Sequence, residues 1–159
     1  MNEKKTIIVA TIKEVHASSF KKLALRFPEK ELFLISRKED LTVEKLNRMK
    51  PDIVFFPHWS WIIEREIFEK FECVIFHTAD LPYGRGGSPL QNQIIRKIYN
   101  SRVCAVRANA TVDGGDIYAR RDIFLGLGSM DEILQVVSNI IFEELIPDII
   151  ADKFALEKQ

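Results

Sequence analysis

The sequence predicts a doubly wound α/β domain: a mostly parallel sheet with helices on both faces and a long helix toward the C-terminal end. Three observations predict it. Short apolar runs recur along the chain, longer stretches between them space their apolar residues at three and four, and the two patterns alternate. At 159 residues, 47% hydrophobic and 29% charged, the chain has a globular and not a disordered composition. Its length suits one domain that buries about 68–70% of its unfolded surface.

The elements follow in order. Thr6–Ala10, Leu32–Ile35, Ile53–Phe56, Cys73–Phe76 and Val103–Val106 are short runs rich in Ile, Val and Phe, as buried parallel strands are. Between them, Ser18–Phe27, Val43–Met49, Ile62–Phe71 and Pro89–Tyr99 carry the spacing of helices packed on a sheet. Met130–Ile150 lines up Ile133, Val137, Ile140 and Ile141 on one helical face, opened by Ser129 and Glu132 as a capping box. Pro147 is expected to kink or end that helix. With no repeat or linker, residues 1–151 read as one domain and 152–159 as a frayed polar tail.

Charge and cysteine usage narrow the partners. With 23 Lys+Arg against 23 Asp+Glu the net charge is zero, which argues against nucleic acid or an anionic membrane as the main partner. The charged N-terminus runs straight into a strand and resembles no signal peptide. No apolar run reaches the roughly 18–20 residues of a membrane span, so a cytoplasmic protein is expected. Cys73 and Cys104 sit in apolar runs with no Cys or His at metal-ligand spacing; they read as buried thiols, and no metal site is expected.

The glycines mark the candidate site. Gly84, Gly86 and Gly87 follow a predicted strand and open a helix, with Ser88 as N-cap and Pro89 at its first position. Loops beyond the carboxyl end of a strand are where α/β sheets bind ligands, although an ordinary strand-to-helix connection has the same make-up. The cluster is no dinucleotide fingerprint or phosphate-binding loop. His77 follows the strand directly, and Asp113 precedes Gly114-Gly115 after another. An acid and a base-capable residue at one sheet edge can run general acid–base chemistry once a fold brings them together.

The segment Phe76-His77-Thr78-Ala79-Asp80-Leu81-Pro82-Tyr83-Gly84-Arg85-Gly86-Gly87-Ser88-Pro89-Leu90 resembles the signature of the folate-dependent formyltransferases, His-Pro-Ser-x-Leu-Pro-x-x-Arg-Gly-x-x-Pro after a strand. His77, Leu81, Pro82, Gly86 and Pro89 match by position. Val112-Asp113-Gly114-Gly115-Asp116-Ile117 resembles the family's later Asp-x-Gly-Asp/Pro-Ile, and the resemblance covers Asp52 to Leu125. Together with Pro57-His58-Trp59-Ser60-Trp61, its form is similar to the small bacterial sugar N-formyltransferases.

The resemblance implies a Rossmann-like catalytic domain over residues 1–151 and transfer of a formyl group from 10-formyltetrahydrofolate to a primary amine. A nucleotide-linked amino sugar is the expected acceptor, such as a UDP-4-amino-dideoxy sugar of the pseudaminic-acid type. The related methionyl-tRNA formyltransferase carries a C-terminal domain for tRNA. This chain stops before one and is neutral, which turns the expectation away from nucleic acid. The alternatives are formylation of aminoacyl-tRNA or a carrier-bound aminoacyl group, or a catalytically degenerate binding domain. The apolar residues of Trp59–Ile63 and of Met130–Ile150 leave room for a homodimer.

In this reading His77 stabilises the oxyanion and Asp113 holds His77 or a water and accepts the amine proton. Phe56, Pro57, His58 and Trp59 form an apolar wall for the pterin, joined by Arg107, Ala108, Asn109, Ala110, Thr111 and Val112. Lys13, Tyr83, Gly84, Arg85, Gly86, Gly87 and Ser88 contact the substrate, the Ser88 helix start favouring a phosphate; Lys13 and His16 read equally as solvated loop residues, and Trp61 as a core residue. One departure stands out: Ile75 occupies the family's Asn position, so Asn92, Asn109 or a backbone N–H is expected to supply the missing donor.

Overall fold

A computed structural model describes residues 4–12, 14 and 16–159. Its strands are β1 (Thr6–Ala10), β2 (Glu31–Ile35), β3 (Ile53–Phe56), β4 (Cys73–Thr78), β5 (Asn100–Arg107) and β6 (Ile117–Phe124), in a sheet of order β2-β1-β3-β4-β5-β6. The helices are α1 (His16–Arg26), α2 (Val43–Met49), α3 (Arg65–Lys70), α4 (Pro89–Ile95), α5 (Met130–Asn139) and α6 (Ile146–Ile150). The mostly parallel sheet bears out the α/β class. The chain divides within β4 into two compact units, Met1–Ile75 and Phe76–Gln159. Among the described residues no helix is long and apolar enough to cross a membrane.

In the first unit β1 lies between β2 and β3, parallel to both, with Ile8 opposite Phe33 on one side and Val54 on the other. All five β1 residues are buried, which is why a central parallel strand reads as an unbroken apolar run. The terminal strand β2 alternates instead, and Phe33 is exposed. Asp52 Oδ2 accepts the Thr6 N–H at 2.7 Å. Thr42 Oγ1 caps α2 by accepting the Lys45 N–H at 3.1 Å. The helix expected from Ile62 begins only at Arg65, because Ile62 is 94% exposed and packs on nothing that would hold a first turn.

The second unit holds the end of β4 and the antiparallel pair β5 and β6, in which Cys104 faces Arg120. Strand β6 (Ile117–Phe124) is not among the strands expected from the sequence. Its Arg120-Arg121-Asp122 interrupts the apolar pattern, and the structure supplies each charge with a partner: Glu157 for Arg120, Glu144 and Asp148 for Arg121, Arg102 for Asp122. Cys73 and Cys104 are free and buried, and burial pushes the Cys73 thiol up to about 12.

Helix α5 opens on the expected capping box, with Glu132 N–H donating to Ser129 Oγ at 3.3 Å and Ser129 N–H to Glu132 Oε2 at 2.6 Å. Pro147 does not end the helix. The chain widens into a π-helical stretch over Ile140–Leu145 and continues as α6 to Ile150; the wider turn accommodates a ring that lacks an N–H and crowds the preceding turn. Ile133, Val137, Ile140, Ile141 and Leu145 are all buried, whereas Val136 is 47% exposed.

The residues after Ala151, expected to fray, are paired instead. Glu157 exchanges both backbone bonds with Ile117, at 2.8 and 2.9 Å, and the Phe154 ring meets Tyr118 edge-on at 4.9 Å.

Two predictions follow from the packing. Ser129→Ala should cost about 1 kcal/mol and lower Tm by about 2–4 °C in a thermal melt; an unchanged Tm would leave the capping box without energetic weight. The Cys73 thiol titrates near 9 when unfolded and about 12 when folded. Its contribution is therefore fully present below about pH 9 and lost as pH rises toward 12. Urea midpoints of wild type should fall more between pH 8 and pH 10.5 (about 2.5 units apart) than those of Cys73→Ala; parallel profiles would contradict this.

Candidate active site

His77 is part of β4 itself, not the residue after it, and shares a strand face with Ile75. It is 7% exposed. Its Nε2 lies 2.7 Å from the Gly84 carbonyl oxygen, and its Nδ1 lies 3.4 Å from Asp113 Oδ2. A carbonyl only accepts, so Nε2 carries a proton in this arrangement and Nδ1 is the nitrogen turned toward the carboxylate. Asp113 lies in the connection between β5 and β6, in a left-handed conformation with φ 51°. Its Oδ2 also accepts the Gly86 N–H at 3.0 Å. The two residues singled out from the sequence are thus brought together.

The first glycine cluster explains how. Gly84 (φ 77°) and Gly86 (φ 99°) occupy backbone that disfavours a Cβ, and these bends turn one carbonyl to His77 and the next N–H but one to Asp113. In the second cluster, a Cβ on Gly115 would stand 1.8 Å from the Arg107 carbonyl oxygen, so that approach is open to glycine alone.

The other expected substrate residues are placed unevenly. Ser88 occupies the N-cap position of α4, but with φ 53° its hydroxyl makes no capping bond; its backbone bend, not its side chain, starts the helix. Helix α4 is seven residues long. Tyr83 is 79% exposed. Arg85 is already engaged, its Nε and Nη2 donating to Gln159 Oε1 at 3.2 and 3.0 Å. Lys13 lies outside the described residues.

Of the expected substitutes for the missing Asn, neither asparagine side chain bonds to His77. Asn92 Nδ2 donates to the Gly87 carbonyl at 3.1 Å and Asn109 Oδ1 accepts the Thr111 N–H at 2.9 Å, each serving its own loop. The backbone N–H of Gly86 is the donor that reaches the pair. Arg107 lies 3.7 Å from Asp116, Ala108 is half-buried, Asn109, Ala110 and Thr111 are exposed, and Val112 is 70% exposed.

In the first unit Phe56 and Pro57 are buried. His58 takes φ 52° and stacks on His16 at 4.6 Å. Trp59 meets Phe56 and Trp61 edge-on at 5.7 and 5.2 Å, and its indole N–H is buried without a hydrogen-bond partner. Sequence reasoning missed Gln159 altogether. Its Nε2 donates to the carbonyls of Asp113 and Gly115 at 2.7 and 2.8 Å, and nothing in a polar C-terminal tail signals such a contact.

Comparison with known proteins places this geometry. The solved methionyl-tRNA formyltransferase from Clostridium thermocellum matches 98% of this chain with a TM-score of 0.92 and 42% identity, this chain covering 68% of that one. The chain belongs to the formyltransferase family. No family model matches it. Among curated proteins, the methionyl-tRNA formyltransferase of Rickettsia felis is 36% identical over 90 residues, 55% of this chain and 30% of that protein; the match thus spans under a third of the curated relative.

Two more distant structures share the fold. They are HypX from Aquifex aeolicus in complex with tetrahydrofolic acid (TM-score 0.74, 23% identity, 96% of this chain and 28% of that one) and a 4-N formyltransferase from Francisella tularensis (0.74, 20%, 97% and 72%). The expectation of no nucleic-acid partner loses its support, since the 42%-identical relative is a methionyl-tRNA formyltransferase. Net charge summed over a chain does not report the local surface a ligand meets.

Because Asp113 Oδ2 is the acceptor for the Gly86 amide, Asp113→Ala should lower hydrogen-exchange protection of Gly86 while β1 amides keep theirs. Unchanged protection at Gly86 would show that the loop stands without the carboxylate.

Proposed function

We propose that this chain provides the catalytic part of an N-formyltransferase that moves a formyl group from 10-formyltetrahydrofolate to a primary amine. The observation that carries the reading is the 3.4 Å approach of His77 Nδ1 to Asp113 Oδ2, held by a glycine loop in a chain of the formyltransferase family.

Residues present here fit the cofactor. The unpartnered Trp59 indole N–H next to Phe56 offers a buried donor and an apolar wall of the kind a flat heteroaromatic ring with acceptor atoms requires. Phe56, Pro57, His58 and Trp59, and by the sequence motif Arg107 to Val112, are proposed cofactor contacts. When bound, the cofactor supplies a formyl carbon open to attack by an amine.

The chain's own groups then manage charge and protons. His77 Nε2–H donates to the Gly84 carbonyl in the unliganded arrangement and, on exchanging that partner, is the donor that serves an oxygen as it gains negative charge. Both described contacts of the Asp113 carboxylate are made by Oδ2, which leaves Oδ1 to take the proton lost by the attacking amine and to return it to the nitrogen that departs as its bond to the formyl carbon breaks. Lys13 and the loop from Tyr83 to Ser88 are the proposed acceptor contacts. The two buried free thiols suit a reducing compartment such as the cytoplasm.

For the acceptor, an aminoacyl-tRNA is favoured by the 42% identity to a methionyl-tRNA formyltransferase. A nucleotide-linked amino sugar is the second reading, favoured by Pro57-His58-Trp59-Ser60-Trp61 ahead of the His77 segment. Mass spectrometry of methionyl-tRNA and of UDP-4-amino-sugars, each incubated with the protein and 10-formyltetrahydrofolate, separates the two. Formylation of one of them is expected, with His77→Ala lowering the rate at least ~10²-fold. No formyl transfer to either amine, or a fully active His77→Ala, would overturn the proposal.

A further inference from the structure

The side-chain amide of Gln159 is used completely. Its Nε2 donates to the carbonyls of Asp113 and Gly115, and its Oε1 accepts from Nε and Nη2 of Arg85. An amide has two N–H donors and one oxygen with two lone pairs, so these four bonds exhaust it. They also fix its orientation, because a flipped amide would set oxygen against two carbonyls and NH2 against a guanidinium.

What it holds is a conformation that needs holding. Asp113 sits at φ 51°, where a residue with a Cβ is unfavourable and persists only if its surroundings over-determine it. Its carboxylate is fastened at Gly86, and its own carbonyl is fastened by Gln159. The residue Gln159 grips on its other side, Arg85, stands between Gly84, bonded to His77, and Gly86, bonded to Asp113. One amide therefore ties together the two loops that set the His77 to Asp113 approach.

The geometry points to Gln159 as a positioning residue: it locks Asp113 in its left-handed turn and so keeps the carboxylate aimed at His77. This inference rests on the proposed roles of those two residues. The tail that carries Gln159 has its own anchors, the backbone bonds between Glu157 and Ile117, the Arg120–Glu157 ion pair and the Phe154–Tyr118 contact. Loss of the Gln159 side chain thus leaves the tail docked.

The test compares Gln159→Ala, Gln159→Glu and Glu157→Ala in the full chain. Gln159→Glu keeps an acceptor for Arg85 but can donate to neither carbonyl, whereas Glu157→Ala weakens the tail's anchorage without touching the amide. Both Gln159 variants should lower kcat for formyl transfer about tenfold or more with KM for 10-formyltetrahydrofolate within about threefold, and Glu157→Ala should keep wild-type kcat. In the ligand-free protein, the ring 15N signals of His77 should move in both Gln159 variants toward their positions in Asp113→Ala. Wild-type His77 signals in both variants, or a Gln159→Glu as active as wild type, would overturn the inference. A wild-type protein that transfers no formyl group would instead overturn the functional reading, and the ring signals alone would then decide the positioning role.

Discussion

The candidate site depends on one backbone constraint, the left-handed turn at Asp113. In an ordinary conformation the carboxylate would leave with its loop, and His77 would face no acid. With φ 51° it reaches both His77 Nδ1 and the Gly86 N–H. The glycines make this affordable: Gly84 and Gly86 adopt positive φ in the facing loop, and Gly115 admits the Arg107 carbonyl where any Cβ would collide. The left-handed residues are thus located where the proposed chemistry is, two of them glycines that carry little conformational penalty.

How much of the fold can be read from the sequence depends on how local its cause is. The strands β1 and β3 are legible because every side chain but that of Thr6 is apolar, and the start of α5 because Ser129 and Glu132 cap each other within one turn. Strand β6 is not legible: Arg120, Arg121 and Asp122 fit a strand only because Glu157, Glu144, Asp148 and Arg102 meet them from other elements. The same holds for Pro147, whose effect is absorbed by a π-helical stretch that no local signal announces.

The site shows a similar division. His77, Asp113 and the glycine loop are found by motif, since their spacing survives in the sequence. The hydrogen-bond partners are not, because Asn92 and Asn109 turn to their own loops and the Gly86 backbone supplies the donor. Gln159 lies in a polar tail that composition assigns to solvent. Net charge gives no partner either, since zero summed over the chain does not report the local surface a ligand meets.

Family membership, a paired imidazole and carboxylate, and an unpartnered indole donor combine into one account in which His77 and Asp113 act as a unit. A double-mutant cycle tests that claim most directly, with formyl-transfer rates of His77→Ala, Asp113→Ala and the double variant under identical conditions. Residues that work together lose their effect together, so the double variant should be little slower than the slower single variant. Losses that multiply would show the two residues acting independently and contradict the account.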